Sequence, residues 1–314
     1  MELSDSEPRN GVPRSPRRRL LWRPLLAVSV ALSATAVAPS ASAYCRTTTC
    51  PTCDKDADGC PTGLPLFWPT SCVTYSMQYL ASKQIDLATA STVMDKAFEV
   101  WMQSDCPEGG TPAMRADQRF GNVECAMHEY NQTDANANVI LFRDDVWPYE
   151  SSGNVLGLTT VTYSRKTGAI FDVDMEFNAT HRLSADDPVP PSSYDLQSIA
   201  THEAGHFLGL AHSSDRDATM APEYMSGSQN FRMLGDDDIL GICAVYPPKA
   251  QVQCDANPRQ GFSPTCGIFP SGDGGKCSVA RAGTADRRSD RYRWLGLAAL
   301  VGVVALAGRR VRRH

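Results

Sequence analysis

The stretch His202-Glu203-Ala204-Gly205-His206-Phe207-Leu208-Gly209-Leu210-Ala211-His212 decides how this chain is read. His202 and His206 are four residues apart, so on a helix they project from one face, one turn above the other. That spacing suits two imidazoles on a single zinc ion. Glu203 stands beside the first imidazole, where a carboxylate reaches a water at the metal without being a ligand. Gly209 permits a sharp bend that ends the helix, and the bend brings His212 back as a third ligand. Three protein ligands leave a fourth position open, the mark of a catalytic rather than a structural zinc site. Zinc there lowers the pKa of water and polarises a carbonyl, and Glu203 takes the proton as general base and returns it to the leaving amine. Three of the six histidines of the chain fall on this pattern, which outweighs the blander reading of each as an isolated surface or core imidazole.

Outward from the motif, Pro190-Pro191 stop any earlier element. Ser192 with Asp195 reads as a capping-box-like helix start, and Leu196, Ile199, Ala200, Phe207 and Leu208 form a buried stripe. Leu66-Phe67-Trp68 and Cys72 to Met77 read as an opening strand. Ile85 to Met102 reads as an amphipathic helix, with Leu87, Val93, Met94, Ala97, Phe98 and Trp101 at spacings of three and four. Asn138 to Phe142 is a buried strand, and Leu158–Ser164 and Ala169–Phe177 are two more, joined by a turn at Thr167-Gly168. Residues 64–250 thus read as one α/β domain, which the charge pattern helps to place.

Of the 30 basic and 35 acidic residues in the 314-residue chain, residues 44–276 hold 15 and 30. An acidic body speaks against nucleic-acid binding, which needs a basic face for phosphates. Both ends are basic and flank apolar runs. Arg17, Arg18, Arg19 and Arg23, then Leu25–Val37, then Ala41-Ser42-Ala43 read as a signal peptide over residues 1–43, with a mature start near Tyr44. At the other end Cys277, a polar spacer, apolar Trp294–Gly308 and a terminal Arg cluster form a segment, 277–314, read as a sorting signal or a membrane tail. Both readings put the body outside the cytoplasm, at the cell surface or outer membrane or free outside the cell.

Cysteines agree. There are eleven; with Cys277 set aside as a processing or lipid-attachment site, ten remain, enough for up to five disulfides in an exported domain. The pairing stays open, and zinc at Cys50-Pro-Thr-Cys53 is the weaker alternative. Residues 44–63 are Cys-rich and too irregular for a core element. Within them Asp54-Lys55-Asp56-Ala57-Asp58-Gly59 begins like a calcium loop, but Pro65 stands where the closing acid belongs, so an Asp-rich turn pinned by Cys53 and Cys60 is the simpler reading. Residues 251–276 form a Cys/Gly/Pro-rich tail. Asp172, Asp174 and Glu176 alternate along a strand and share a side; they read as a calcium site or as a solvated, edge-protecting face.

The motif resembles that of the metzincin peptidases, H-E-x-x-H-x-x-G-x-x-H followed by a Met-turn, here Ala218-Thr219-Met220-Ala221-Pro222-Glu223-Tyr224. Ser213 after the third His, Met-x-Pro-x-Tyr at Met220, Pro222 and Tyr224, and the segment Leu234–Tyr246 with Asp237-Asp238 make the chain similar to matrixins, and it is read as a bacterial one. The C-terminal segment resembles a myxobacterial-type sorting signal. The resemblance implies a metzincin-like zincin domain of the α+β kind, with a twisted mixed sheet, a long backing helix, an active-site helix and a C-terminal helix. It implies a zinc metalloendopeptidase acting on proteins or peptides as a monomer. Met220 would be the floor beneath one catalytic Zn2+, Pro222 and Tyr224 the wall of the primed-side specificity pocket, and the paired aspartates the support of the Met-turn. The polar pocket loop, Tyr224 to Met233, implies a loose apolar preference. No cysteine-switch sequence precedes Leu64, so latency by that route is not expected, and the His-rich segment for a second zinc is missing. The alternative, a catalytically inactive surface binding protein of the same fold, is disfavoured because Glu203 and all three ligands are present.

Overall fold

The computed structural model describes residues 43–149, 154–266 and 277–283. Its elements, in chain order, are β1 (Cys45–Arg46), β2 (Cys72–Thr74), β3 (Ser76–Met77), α1 (Leu87–Met102), β4 (Arg115–Asp117), β5 (Val139–Phe142), β6 (Val155–Tyr163) and β7 (Ile170–Phe177). β8 (Leu183–Ser184), β9 (Tyr194–Asp195), α2 (Leu196–Phe207), β10 (Leu210–Ala211), α3 (Asp236–Val245) and β11 (Cys277–Gly283) follow.

The sheet is mixed, in the order β11-β6-β7-β5-β3. β6 and β7 form an antiparallel hairpin, while β5 runs parallel to both β7 and β3. The backbone of β11 adds antiparallel to β6, with Cys277 opposite Thr162. The β-branched and aromatic content of β6 and β7 suits a pleated surface packed against helices. α1 lies behind the sheet. Asp86 caps it by accepting from Thr89 N at 3.0 Å, and Ala90, Val93, Met94, Ala97, Phe98 and Trp101 form its buried face. Phe98 packs edge-on against Phe207 at 5.1 Å between centroids. Trp101 donates from Nε1 to the Thr201 carbonyl at 2.7 Å, tying α1 to α2. Each of these fully buried rings contributes about 1.5–3 kcal/mol of transfer free energy.

Five readings of the sequence need correction. Leu66–Trp68 is not a strand: Phe67 makes only an isolated bridge to Ala169, because Pro65 and Pro69 on either side offer no amide to a ladder. The segment Cys72–Met77 divides at Tyr75, so that β2 pairs with β4 while β3 joins the main sheet. The cap of α2 is Asp195 itself, accepting from Ser198 N at 2.9 Å; Ser192 lies in the turn ahead of β9. Residues 44–63 do contribute to the body, since β1 pairs with β10 and Cys45, Thr47 and Thr48 are buried.

The fifth correction concerns Asp172, Asp174 and Glu176. β7 is interior to the sheet, and all three side chains are buried. They are therefore neither solvated nor edge-protecting. Asp174 accepts from the amides of Val139 at 2.7 Å and Glu129 at 2.9 Å. Glu176 accepts from Arg143 Nε at 2.6 Å and meets His128 Nδ1 at 3.1 Å and the Tyr149 hydroxyl. Protein donors thus engage Asp174 and Glu176, as buried carboxylates require.

Five disulfides use the ten body cysteines: Cys45–Cys60, Cys50–Cys53, Cys72–Cys254, Cys106–Cys243 and Cys125–Cys266. Cys50 and Cys53 are therefore not zinc ligands, and two of the bridges fasten the tail after residue 250. The Asp-rich loop is a turn in which Asp56 Oδ1 accepts the amides of Asp58 and Cys60. Residues 1–42 and 284–314, with the signal-peptide and sorting-signal readings, lie outside the described residues. Among the described residues no helix is long and apolar enough to cross a membrane.

Candidate active site

α2 ends because Gly209 takes φ +96°, a left-handed conformation that favours glycine. A β-carbon there would also stand 2.8 Å from the Leu66 carbonyl oxygen. The chain turns back into β10 and delivers His212 beside the helix. The three imidazoles converge, with centroid separations of 4.8 Å for His202–His206, 4.9 Å for His206–His212 and 5.2 Å for His202–His212. One potential ligand atom from each lies within 4.8 Å of the others.

The second nitrogen of two rings is fixed by backbone. His202 Nδ1 lies 2.6 Å from the Thr219 carbonyl and His206 Nδ1 lies 2.9 Å from the Leu210 carbonyl. A carbonyl can only accept, so Nδ1 carries the proton and Nε2 keeps its lone pair. The Nε2 atoms of both rings are buried and make no hydrogen bond within the protein. Burial, with the nearby His212 imidazole, pushes the pKa of His202 down to about 3. Burial and the two neighbouring imidazoles hold His206 well below its usual value. Neutral, oriented imidazoles with free lone pairs aimed at one point are the donor set that zinc takes, and the cluster fits a zinc site.

Glu203 is fully buried. Thr159 Oγ1 on β6 donates to its Oε2 at 2.6 Å. Gly157, on the same strand, lies so close that a β-carbon would come 2.5 Å from Oε1. Two residues on one side of β6 thus press against the carboxylate. Beneath the helix, Met220 packs where a Gly205 β-carbon would stand. Asp238 holds the Met220 turn by accepting the amides of Thr219 at 2.6 Å and Met220 at 3.0 Å. Burial pushes its carboxyl up, against the pull of those amides. Asp237 Oδ2 accepts from Ser213 Oγ at 2.6 Å, and Oδ1 accepts the amides of Ala43 and Tyr44. The start of the body is thereby docked next to the third imidazole.

Pro222 is exposed beyond the turn, while Tyr224 is buried, with burial raising its hydroxyl to about 12. Its hydroxyl donates to the Ser228 carbonyl. Asp172, Asp174 and Glu176 lie on β7 and do not join the histidine cluster. Cys277 opens β11, at the far end of its pairing with β6.

Five residues at or beside the site escaped the sequence reading: Gly157, Thr159, Asp195 as the cap, Phe231 and Arg232. Threonine in a strand is ordinary β-former usage and gives no signal. Phe231 did leave one, as the single apolar residue between Ser226 and Arg232 apart from Gly227.

Comparison with known proteins agrees with this geometry. A family model described as Matrixin matches residues 67–247. The chain belongs to the matrixin family. Matrix metalloproteinase-C of Caenorhabditis elegans is 28% identical over 190 residues, covering 57% of this chain and 28% of the relative. Human Matrix metalloproteinase-16 is 29% identical over 196 residues, covering 61% of this chain and 29% of the relative. Human Matrix metalloproteinase-26 is 33% identical over 106 residues, or 34% of this chain and 37% of the relative. The chain thus spans under two fifths of the length of these relatives. The mixed sheet, the backing helix and the two further helices are those of a metzincin-like α+β fold, and the family is one of zinc metalloendopeptidases.

Proposed function

We propose that this matrixin is an exported zinc endopeptidase in which His202, His206 and His212 hold the metal and Glu203 is the general base. The single observation that carries the reading is the convergence of three imidazoles, two of them oriented by backbone carbonyls, beside a buried carboxylate that is itself positioned by Thr159. Zinc, when bound, supplies Lewis-acid polarisation of the scissile carbonyl and acidifies the attacking water. Glu203 takes the proton from that water through a carboxylate oxygen and delivers it to the leaving amine. Thr159 fixes Oε2, so the carboxylate keeps one orientation through both transfers. Met220, packed under Gly205, keeps the floor apolar and the ligand helix in place.

Export is supported by the five disulfides, which persist in oxidising compartments. Removal of residues 1–43 as a signal peptide, and display or anchoring through 277–314 with processing at Cys277, complete the proposal, as does a monomeric body over 64–250. Calcium is not part of it. The test uses the full exported chain on a generic protein substrate. Cleavage should stop with a zinc chelator and return when zinc is restored. Cleavage that persists after complete removal of metal would refute the reading.

A further inference from the structure

In the strand order β11-β6-β7-β5-β3, β11 lies outside β6, so without it β6 would be an open edge of the main sheet. That edge adjoins the chemistry. Gly157 and Thr159, the two residues of β6 that press against the Glu203 carboxylate, both lie along it. A strand edge presents a row of unpaired amides and carbonyls, and an extended peptide binds such a row as an added strand. A peptide that brings its carbonyl to Glu203 in this way must have that stretch of β6 to itself.

In this chain the stretch is taken. The backbone of Cys277–Gly283 pairs with β6 in antiparallel register from Thr162 to Val155. Ala280 stands opposite Thr159 and Ala282 opposite Gly157, and the register becomes irregular only after Ala282. The α-carbons of β11 also come within 8 Å of those of α2, the helix that carries His202, Glu203 and His206. The segment therefore spans the part of the edge that lies beside the catalytic carboxylate.

Its composition and its anchor suit a displaceable strand. Cys-Ser-Val-Ala-Arg-Ala-Gly has one β-branched residue, while two alanines and a glycine are types that strands use little. It is paired on one side only. What it lacks in contacts it gains from its tether. The Cys125–Cys266 disulfide fastens the chain to the body, and residues 267–276 connect that anchor to β11. A short tether presents a weak segment at an effective concentration in the millimolar range.

We propose that Cys277–Gly283 is an autoinhibitory strap: this chain's own segment occupies the β6 edge and competes with peptide substrates for it. The inference rests on the peptidase reading above. A strap that holds the edge about 90% of the time raises the apparent KM about tenfold and leaves kcat alone. The processing proposed at Cys277 would sever the tether and open the edge.

The experiment compares the full zinc-loaded chain with the double variant Val279→Pro/Ala280→Pro. Successive amides on a strand point to opposite sides, so prolines at two successive positions remove a ladder donor whichever of the two faces β6. A second variant lacks residues 278–283. Cleavage of a peptide substrate, metal content and amide hydrogen exchange over residues 155–163 are measured on all three. Both variants should show a KM lowered about tenfold with kcat unchanged, and faster exchange along β6. A native KM in both variants overturns the proposal, and so does exchange along β6 that does not change. A change confined to kcat also overturns it, because a strap that competes for the edge is absent from the substrate complex. Should none of the zinc-loaded proteins cut, the peptidase reading fails and the inhibitory role with it, while faster exchange in the variants would still show the segment docked on β6.

Discussion

Thr159 Oγ1 donates to Glu203 Oε2 at 2.6 Å across the gap between the strand beside the cleft and the ligand helix. The contact joins two residues 44 positions apart in the chain, both buried. It explains how the carboxylate keeps one orientation.

Replacing Thr159 by Val keeps the shape and removes the donor. The account expects kcat to fall about tenfold, equivalent to about 1.4 kcal/mol in the barrier, with zinc content unchanged. Steady-state kinetics with metal analysis checks this. Native kcat in the variant would mean the hydrogen bond does not position the base.

Gly157→Ala tests the same grip two residues earlier on the strand. The added methyl would collide with Oε1 of Glu203, 2.5 Å away, and with Cδ at 2.8 Å. Misplacement of a reacting group by about 1 Å costs on the order of a hundredfold in rate. We expect a loss of that order with the three histidines still holding zinc. An active variant would show that the strand can give way and that the carboxylate is not held there.

The motif on α2 was legible because ligand spacing is local: positions four apart on a helix and one glycine define it, whatever surrounds them. Long-range relationships were not. The count of disulfides could be read from ten body cysteines, but their partners lie up to 182 residues apart, and spacing says nothing about which ends meet. Asp172, Asp174 and Glu176 were correctly placed on one side of a strand. Whether that side faces water depends on Arg143, His128, Tyr149 and two backbone amides from other parts of the chain, and these turned a presumed wet face into a buried network. Phe231 and Arg232 belong to the same class, since only the folded loop shows that one faces His202 and the other bonds to Asp195, the cap of α2.

Cys106–Cys243 joins the segment after α1 to α3 and closes a loop of 137 residues. Converting both to Ser should lower stability by about 2–4 kcal/mol through the freed unfolded chain. Denaturant unfolding of the double variant measures it. A change near zero would show that burial alone fixes α3 against the body.

His128 and Glu176 give stability a defined pH dependence. The hydrogen bond and charge of Glu176 raise the pKa of His128 in the fold, against its burial. Burial opposes ionisation of Glu176, yet His128, Tyr149 and Arg143 together hold it below the usual carboxylate value. A raised imidazole contributes stability that is complete below its unfolded pKa of about 6.5 and is lost as pH rises through the folded value. The melting-temperature gap between the native protein and His128→Gln should therefore be wide near pH 5.5 and narrow near pH 9. A gap that widens with rising pH would contradict the pairing.

Glu203→Ala, assayed beside the native chain for both bound zinc and peptide-bond cleavage, separates metal binding from proton transfer. Both proteins should bind one zinc per chain, held by His202, His206 and His212, and cleavage should fall by about a hundredfold to ten-thousandfold in the variant alone. Equal cleavage by the two proteins at equal zinc would contradict it.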